Sequence, residues 1–205
     1  MAISRTAITD DDGTGTTGTV INNAWKTELY NQIDGIFTTA PLDISGASAG
    51  QIKFPATQNS STNVNILDDY EEGTWTPVIG GSGGTSGQTY SSQVGLYRKI
   101  GSVVFAYFDV TLSAKGTITS VVQIQGLPFA GSGSGTTFTG FGGGLRWVSL
   151  ATTWVNIWAA VNISATNANV SGTTAASVSS TTNLLTADIG NTSQFSGLIV
   201  YFSAT

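Results

Sequence analysis

Apolar and polar residues alternate over much of the chain from residue 73 onward. In the segment VVFAYFDVTL every second residue is apolar, which would place these residues on one face of a strand. They are Val104, Ala106, Phe108, Val110 and Leu112. Further apolar runs are bounded by Gly, Ser, Thr or Asn turn signals, which gives roughly eight predicted strands. The pattern predicts a mainly β protein, with an antiparallel β-sandwich or jelly-roll head over residues 73–205.

A helical periodicity marks the segment INNAWKTELYNQIDGIFTT near the N-terminus. Its apolar residues are spaced by four, four and three positions, as on one face of a helix. They are Trp25, Leu29, Ile33 and Ile36. A helix of about fourteen residues is marginal in water by itself, so this stripe is expected to dock on another protein or to bundle with identical copies. Residues 1–37 are therefore interpreted as an anchor made of a short extended segment and a helix, and residues 38–72 as a linker or neck.

Charge is scarce in this chain and is unevenly distributed. Only 9% of the residues are charged and 40% are hydrophobic, whereas about a quarter is normally charged. Residues 1–72 carry ten acidic and three basic residues, net −7, and residues 73–205 carry two acidic and four basic residues, net +2. The overall charge of −5 argues against a nucleic-acid partner. No apolar run approaches the ~20 residues that a membrane span needs, so no membrane partner is expected.

Histidine and cysteine are absent, which excludes His-based triads, thiol nucleophiles and disulfides. The remaining candidate for chemistry is the acid cluster in ILDDYEEGTWTP, which contains Asp68, Asp69, Glu71 and Glu72. A glycosidase needs two carboxylates roughly 5–10 Å apart across a cleft, and these acids are contiguous in a polar stretch. Ca²⁺ takes six to eight oxygen ligands, so several copies of the cluster could form a cation site at the neck. A solvated acidic linker is the simplest interpretation, and no other cofactor is expected.

Six aromatic residues have two open interpretations, and they are Trp147, Trp154, Trp158, Tyr97, Tyr107 and Phe105. They could fill the sandwich core or a subunit interface, because large aromatic side chains dominate both. Alternatively, their flat rings could form a platform for the apolar faces of a sugar. Trp154 and Trp158 are four positions apart, so on a strand they would point to the same face.

The stretch IKFPATQNSSTNVNILDDYEEGTWTPVIG resembles a module boundary common in tailed-phage structural proteins. In that family an FPATQ segment leads to an LDDYEEGTWTP block, which a "Y…Q.G.Y.KIG..V" strand pair and a GLPF turn follow. Here the strand pair starts at Tyr90 and the turn is Gly126–Phe129, while SGLIVYFSA is similar to the family's final strand. The segment ISRTAITDDDGTGTTGTVINNAWKTELYNQID is similar to the start segments of phage fibre-like proteins.

The resemblance implies a virion surface protein: a head fibre, capsid spike, decoration protein or short tail fibre. Such proteins are usually homotrimers, attached through the N-terminus to capsid or tail proteins, with a β-rich C-terminal part facing outward. We therefore expect binding and assembly in the virion rather than enzymatic turnover. A module that binds a host-surface glycan or receptor is the main alternative. A polysaccharide depolymerase is less favoured, because the long repeats of a large tailspike are missing.

Overall fold

The computed structural model describes residues 52, 54, 67, 69–133, 137–175 and 181–204. Almost all of the regular structure in these residues is β, and the remainder is one short 3₁₀ helix over Thr186–Asp188. The strands are β1 (Tyr70–Thr74), β2 (Val78–Gly81), β3 (Gly84–Ser86), β4 (Thr89–Ile100), β5 (Val103–Ala114), β6 (Thr117–Thr119), β7 (Val122–Gln125), β8 (Phe138–Gly142), β9 (Arg146–Leu150), β10 (Asn156–Asn162), β11 (Asn167–Thr173), β12 (Thr182–Asn183) and β13 (Ile189–Phe202).

Eleven of these strands form one antiparallel sheet in the order β1-β4-β5-β13-β8-β10-β11-β7-β2, with β9 added to β13 and β12 to β11. Strands β3 and β6, which flank the β4–β5 hairpin in the chain, pair with each other in a separate two-stranded antiparallel sheet. The large sheet curls so that its two ends lie close together. Strands β1 and β2 stand at opposite ends of the strand order, yet only residues 75–77 separate them in the chain. Gln93 of β4 donates a hydrogen bond from Nε2 to the carbonyl of Pro77, just before β2, at 2.8 Å. The predicted mainly β, antiparallel fold is confirmed, and the curled sheet is consistent with a sandwich.

The core lies on the inner face of this curled sheet. The five alternating apolar residues of β5 are all essentially buried, as their period of two predicts. On the neighbouring strand β13, Phe195, Ile199 and Tyr201 lie opposite Val110, Ala106 and Val104, and they are buried as well. Since residues directly opposite in a sheet share a face, the two longest strands together supply one wall of the core.

One boundary predicted from the sequence, that between the linker and the head, lies within the described residues. Strand β1 begins at Tyr70, within the segment that the sequence assigns to the linker. The anchor residues Trp25, Leu29, Ile33 and Ile36 lie outside the described residues, so the N-terminal helix stays a prediction. Among the residues that the structure describes, no helix has the length and apolarity that crossing a membrane requires.

Candidate functional site

Glu71 and Glu72 of the acidic motif lie on β1, which among the described strands pairs with β4 alone and is an edge of the sheet. At the foot of this strand, the carboxylate of Asp69 accepts a hydrogen bond from the ammonium group of Lys99. The two side chains are only 8% and 4% exposed. The Lys99 Nζ also lies 5.4 Å from the ring centroid of Phe129, which is within the range of a cation–π contact. The negative charge of Asp69 is thus neutralised by Lys99 of the same domain.

The next two acids of the motif also bind side chains of β4. Glu71 accepts a hydrogen bond from the phenol of Tyr97, and Glu72 pairs with Arg98 at 3.3 Å. Gly73 lies opposite Tyr97, and a Cβ at that position would come 2.9 Å from atoms of the Tyr97 ring. The glycine of DDYEEG therefore makes room for the ring whose hydroxyl reaches Glu71.

Because the Tyr97 phenol donates a hydrogen bond to Glu71, the pKa of Tyr97 reports on the contact between β1 and β4. Desolvation, the hydrogen bond to Glu71 and the negative charge of Glu71 together raise the pKa of Tyr97 to about 12. We expect Glu71→Gln to lower the pKa of Tyr97 towards its ordinary value of about 10, because glutamine keeps an acceptor but removes the charge. Titration of the tyrosine ¹³Cζ resonances by NMR measures this shift.

The matched control for that titration is Glu72→Gln, since Glu72 accepts from Tyr70 at 3.0 Å and not from Tyr97. This variant should leave the pKa of Tyr97 where it is. An equal shift in both variants would mean that Tyr97 senses the general acidity of β1 rather than its bond to Glu71.

These contacts do not arrange the described carboxylates of the neck as ligands of a cation. Asp68 lies outside the described residues. Asp69 and Glu72 are each paired with a basic side chain, and Glu71 is bonded to a phenol. No three acidic side chains converge as metal ligands within the described part of the chain. A shared cation therefore stays a prediction that rests on Asp68 and on contributions from other copies.

The three tryptophans occupy different environments. Trp154 is 7% exposed and belongs to the core cluster, whereas Trp147 is partly buried and packs against that cluster from β9. Trp158 lies on β10 and is also partly exposed. Trp154 comes before β10 begins at Asn156, so the expectation that it shares a strand face with Trp158 is wrong. A sugar platform could use Trp147 or Trp158, but the buried ring of Trp154 is not available to it.

A feature that the sequence indicated only in part, through Phe105 and Tyr107, lies on the side of the sheet that points away from the core. We call it the outer face and define it by seven exposed apolar residues on β4, β5, β8 and β13. Their side chains are 38% to 57% exposed. They are Leu96, Ile100, Phe105, Tyr107, Phe141, Leu198 and Phe202.

The strand register makes this outer face continuous. Leu96, Tyr107 and Leu198 lie directly opposite one another on three neighbouring strands. In the next row, Val200 separates Phe105 from Phe141 and lies opposite both. A shallow groove of about 510 Å³ runs between the residues of β4, β5 and β13. The outer face is therefore a continuous surface that is apolar except for Arg98, which lies opposite Phe105 and lines the groove. It joins the β4–β5 hairpin to β8 and β13, which come later in the chain.

Charged groups lie at two margins of the outer face. At the β1–β4 margin, Arg98 lies opposite Phe105 and lines the groove, and it extends to the exposed carboxylate of Glu72 on β1. At the other margin, Gln194 donates from Nε2 to Asp109 at 2.9 Å and accepts from Arg146 at 2.8 Å. Each margin thus contains one acidic and one basic side chain, so the rim is balanced in sign.

Comparison of the chain with protein-family models, with curated proteins and with solved structures gave no match. By its fold and its site, this protein contains a curled antiparallel β-domain. Its acidic entry strand is fixed by internal pairs, and one face of its sheet is apolar and exposed.

Proposed function

We propose that this chain is a structural protein of a tailed-phage virion, of the head-fibre, capsid-spike, decoration or short-tail-fibre type. In this proposal residues 1–37 attach to capsid or tail proteins, and the β-domain projects outward from the particle. The protein assembles as a homotrimer, and its role is binding and assembly rather than turnover. The resemblance of the DDYEEGTWTP-to-GLPF portion to phage structural modules supplies the class of protein.

One observation carries the choice of assembly over catalysis. The motif that looks most like an acid–base centre is built into an edge strand, and Asp69, its buried carboxylate, is bonded to Lys99. A general acid or base must be free to exchange a proton with a substrate. A carboxylate enclosed with its own counter-ion instead fixes the position of a strand. The motif is best explained as the rigid entrance to the head domain.

The host-glycan module stays the second proposal for the outward-facing domain. Its support lies in the partly exposed rings of Trp147 and Trp158, since flat rings suit the apolar faces of sugars. This alternative adds an adhesive role to the same virion protein, and it does not replace the structural role.

The proposed anchor is tested by a point substitution in the full chain, carried by the phage that encodes it. We expect Ile33→Asp to remove the protein from purified particles, because a charge on the predicted apolar stripe would prevent docking. Asn31→Asp is the matched control, since it adds the same charge on the opposite side of the predicted helix. Quantitative mass spectrometry of purified particles gives the copy number.

A deletion of residues 1–37 completes that test. The truncated protein should be produced with its β-domain folded and be missing from the particles. Truncated chain at the wild-type copy number would contradict the anchor, and particles without any of the full-length chain would contradict the virion assignment itself.

A further inference from the structure

We propose that the outer face is the surface through which copies of this chain pack against one another. The inference deepens the proposed function, and it depends on that function only for the number of copies. The partner that we assign to the outer face is a second copy of this chain.

The area of the outer face is the first argument. Taking about 200 Å² for a fully exposed large side chain, the exposed fractions of the seven residues correspond to roughly 650 Å² of apolar surface. The largest apolar patch on a typical monomer is about 300–600 Å², and patches of that size are often functional. A stable interface needs about 800 Å² from each partner. The outer face and its polar margin together approach that value.

The shape of the outer face is the second argument. Leu96, Tyr107 and Leu198 form a row across β4, β5 and β13, and such a row is the surface that interdigitates when two sheets pack face to face. The opposite face of β5 and β13 already packs on the core through residues such as Phe108 and Phe195, so these two strands carry apolar residues on both sides. An antiparallel sheet that leaves one face in water normally carries polar residues on that face, whereas a large exposed apolar patch is typical of an interaction surface.

The sign of the charges is the third argument, and it favours an identical partner. Glu72 and Arg98 lie at one margin, and Asp109 and Arg146 lie at the other. A partner with a strong charge of one sign would be matched by a rim of the opposite sign. A rim that carries both signs can meet opposite charges on the rim of another copy, whether the contact between identical chains is twofold or threefold.

The first test uses Leu198→Lys in the full-length protein, with oligomeric state measured by sedimentation equilibrium. We expect wild type to be an oligomer and Leu198→Lys to be a folded monomer at the same concentration. Its association should be weakened at least about tenfold, because an unpaired charge would be buried in the interface. Leu185→Lys is the matched control, because Leu185 is 50% exposed and Leu198 44%, and Leu185 lies away from the outer face beside β12. The control should remain an oligomer.

A second variant keeps the proposal open to refutation if the lysine variant fails to fold. The chain has no cysteine, so a single introduced thiol reports its own surroundings. In the assembled protein, Leu198→Cys should react with a maleimide at least about tenfold more slowly than Leu185→Cys, since burial in a packed interface excludes the reagent. Dilution to monomers should remove the difference.

Several outcomes would overturn the inference. They are a monomeric wild type, a Leu198→Lys oligomer as stable as wild type, and equal thiol reactivities in the assembled protein. A protected Leu198→Cys thiol in a monomer would show that something other than a second copy covers the face. A dimer that dissociates on Leu198→Lys supports the face and contradicts the trimer. A monomer that is still found in particles refutes this inference and leaves the proposed function standing.

Discussion

Replacing Lys99 with methionine is expected to lower the free energy of unfolding by about 3–5 kcal/mol, because the substitution leaves the Asp69 carboxylate buried without a counter-ion. Both side chains are more than nine-tenths buried, so solvent cannot screen the remaining charge. Methionine fills a similar volume, which confines the loss to electrostatics and to the contact with Phe129. Urea unfolding at neutral pH and fixed protein concentration, followed by tryptophan fluorescence, measures the change.

The control for this substitution is Arg98→Met on the same strand. Arg98 pairs with Glu72 at 3.3 Å, but their side chains are 68% and 58% exposed, and exposed pairs typically contribute about 0–1 kcal/mol. Adding Asp69→Asn to the Lys99→Met variant should restore part of the lost stability, because it removes the orphaned charge. Equal losses in Lys99→Met and Arg98→Met would show that the buried pair has no special role at the entrance to the head.

Trp75→Ala should destabilise the domain by about 3–5 kcal/mol, as is usual when a large aromatic residue is removed from a core. Trp75 is 8% exposed, and its indole Nε1 donates a hydrogen bond to the carbonyl of Tyr107 at 3.0 Å. Its ring lies edge-on to Phe108 with the centroids 6.2 Å apart. Gly95 makes this packing possible, because a Cβ there would come 2.5 Å from the Trp75 carbonyl oxygen. Chemical denaturation gives the value.

Two further variants test whether the loss of stability in Trp75→Ala depends on the position of Trp75 in the fold. Trp75→Phe keeps an aromatic ring and loses the indole donor, so it should cost distinctly less than Trp75→Ala. Trp158→Ala removes an equally large ring from a partly exposed site on β10, and its cost should also be smaller. A Trp158→Ala loss as large as that of Trp75→Ala would mean that Trp75 is an ordinary aromatic and not the residue that fastens β1 to the core.

The strands were predictable from the sequence because their inner face is buried and their side chains alternate. VVFAYFDVTL shows this pattern, and each of its alternating apolar residues is buried. The role of Lys99 was not predictable in the same way. Its burial depends on Asp69, which lies thirty residues earlier, and contiguous acids normally remain in water. A cluster that looks like a solvated linker in sequence thus forms a strand, because β4 supplies partners for its charges.

Most of the outer face, beyond Phe105 and Tyr107, was missed for a similar reason. Leu96 and Phe105 lie on the β4–β5 hairpin, but Phe141 and Leu198 come from β8 and β13, and no short window of sequence shows that these strands join the hairpin. The mixed second face of β5, with Phe105 and Tyr107 among polar residues, was the one local signal. Trp154 was also beyond pattern reasoning, because its position just before β10, rather than on the strand, decides which way its ring points.

Strand β13 has a consequence for the synthesis of the protein. It is the last of the described strands along the chain, yet it lies in the middle of the sheet order, between β5 and β8, and it also holds β9. While the ribosome is still making the chain, β5 and β8 have open hydrogen-bonding edges that only residues 189–202 can close. Prematurely terminated copies would therefore lack a central strand and expose sheet edges prone to aggregation. Only copies that have been translated through Phe202 contain the complete outer face, because Leu198 and Phe202 lie on this last strand.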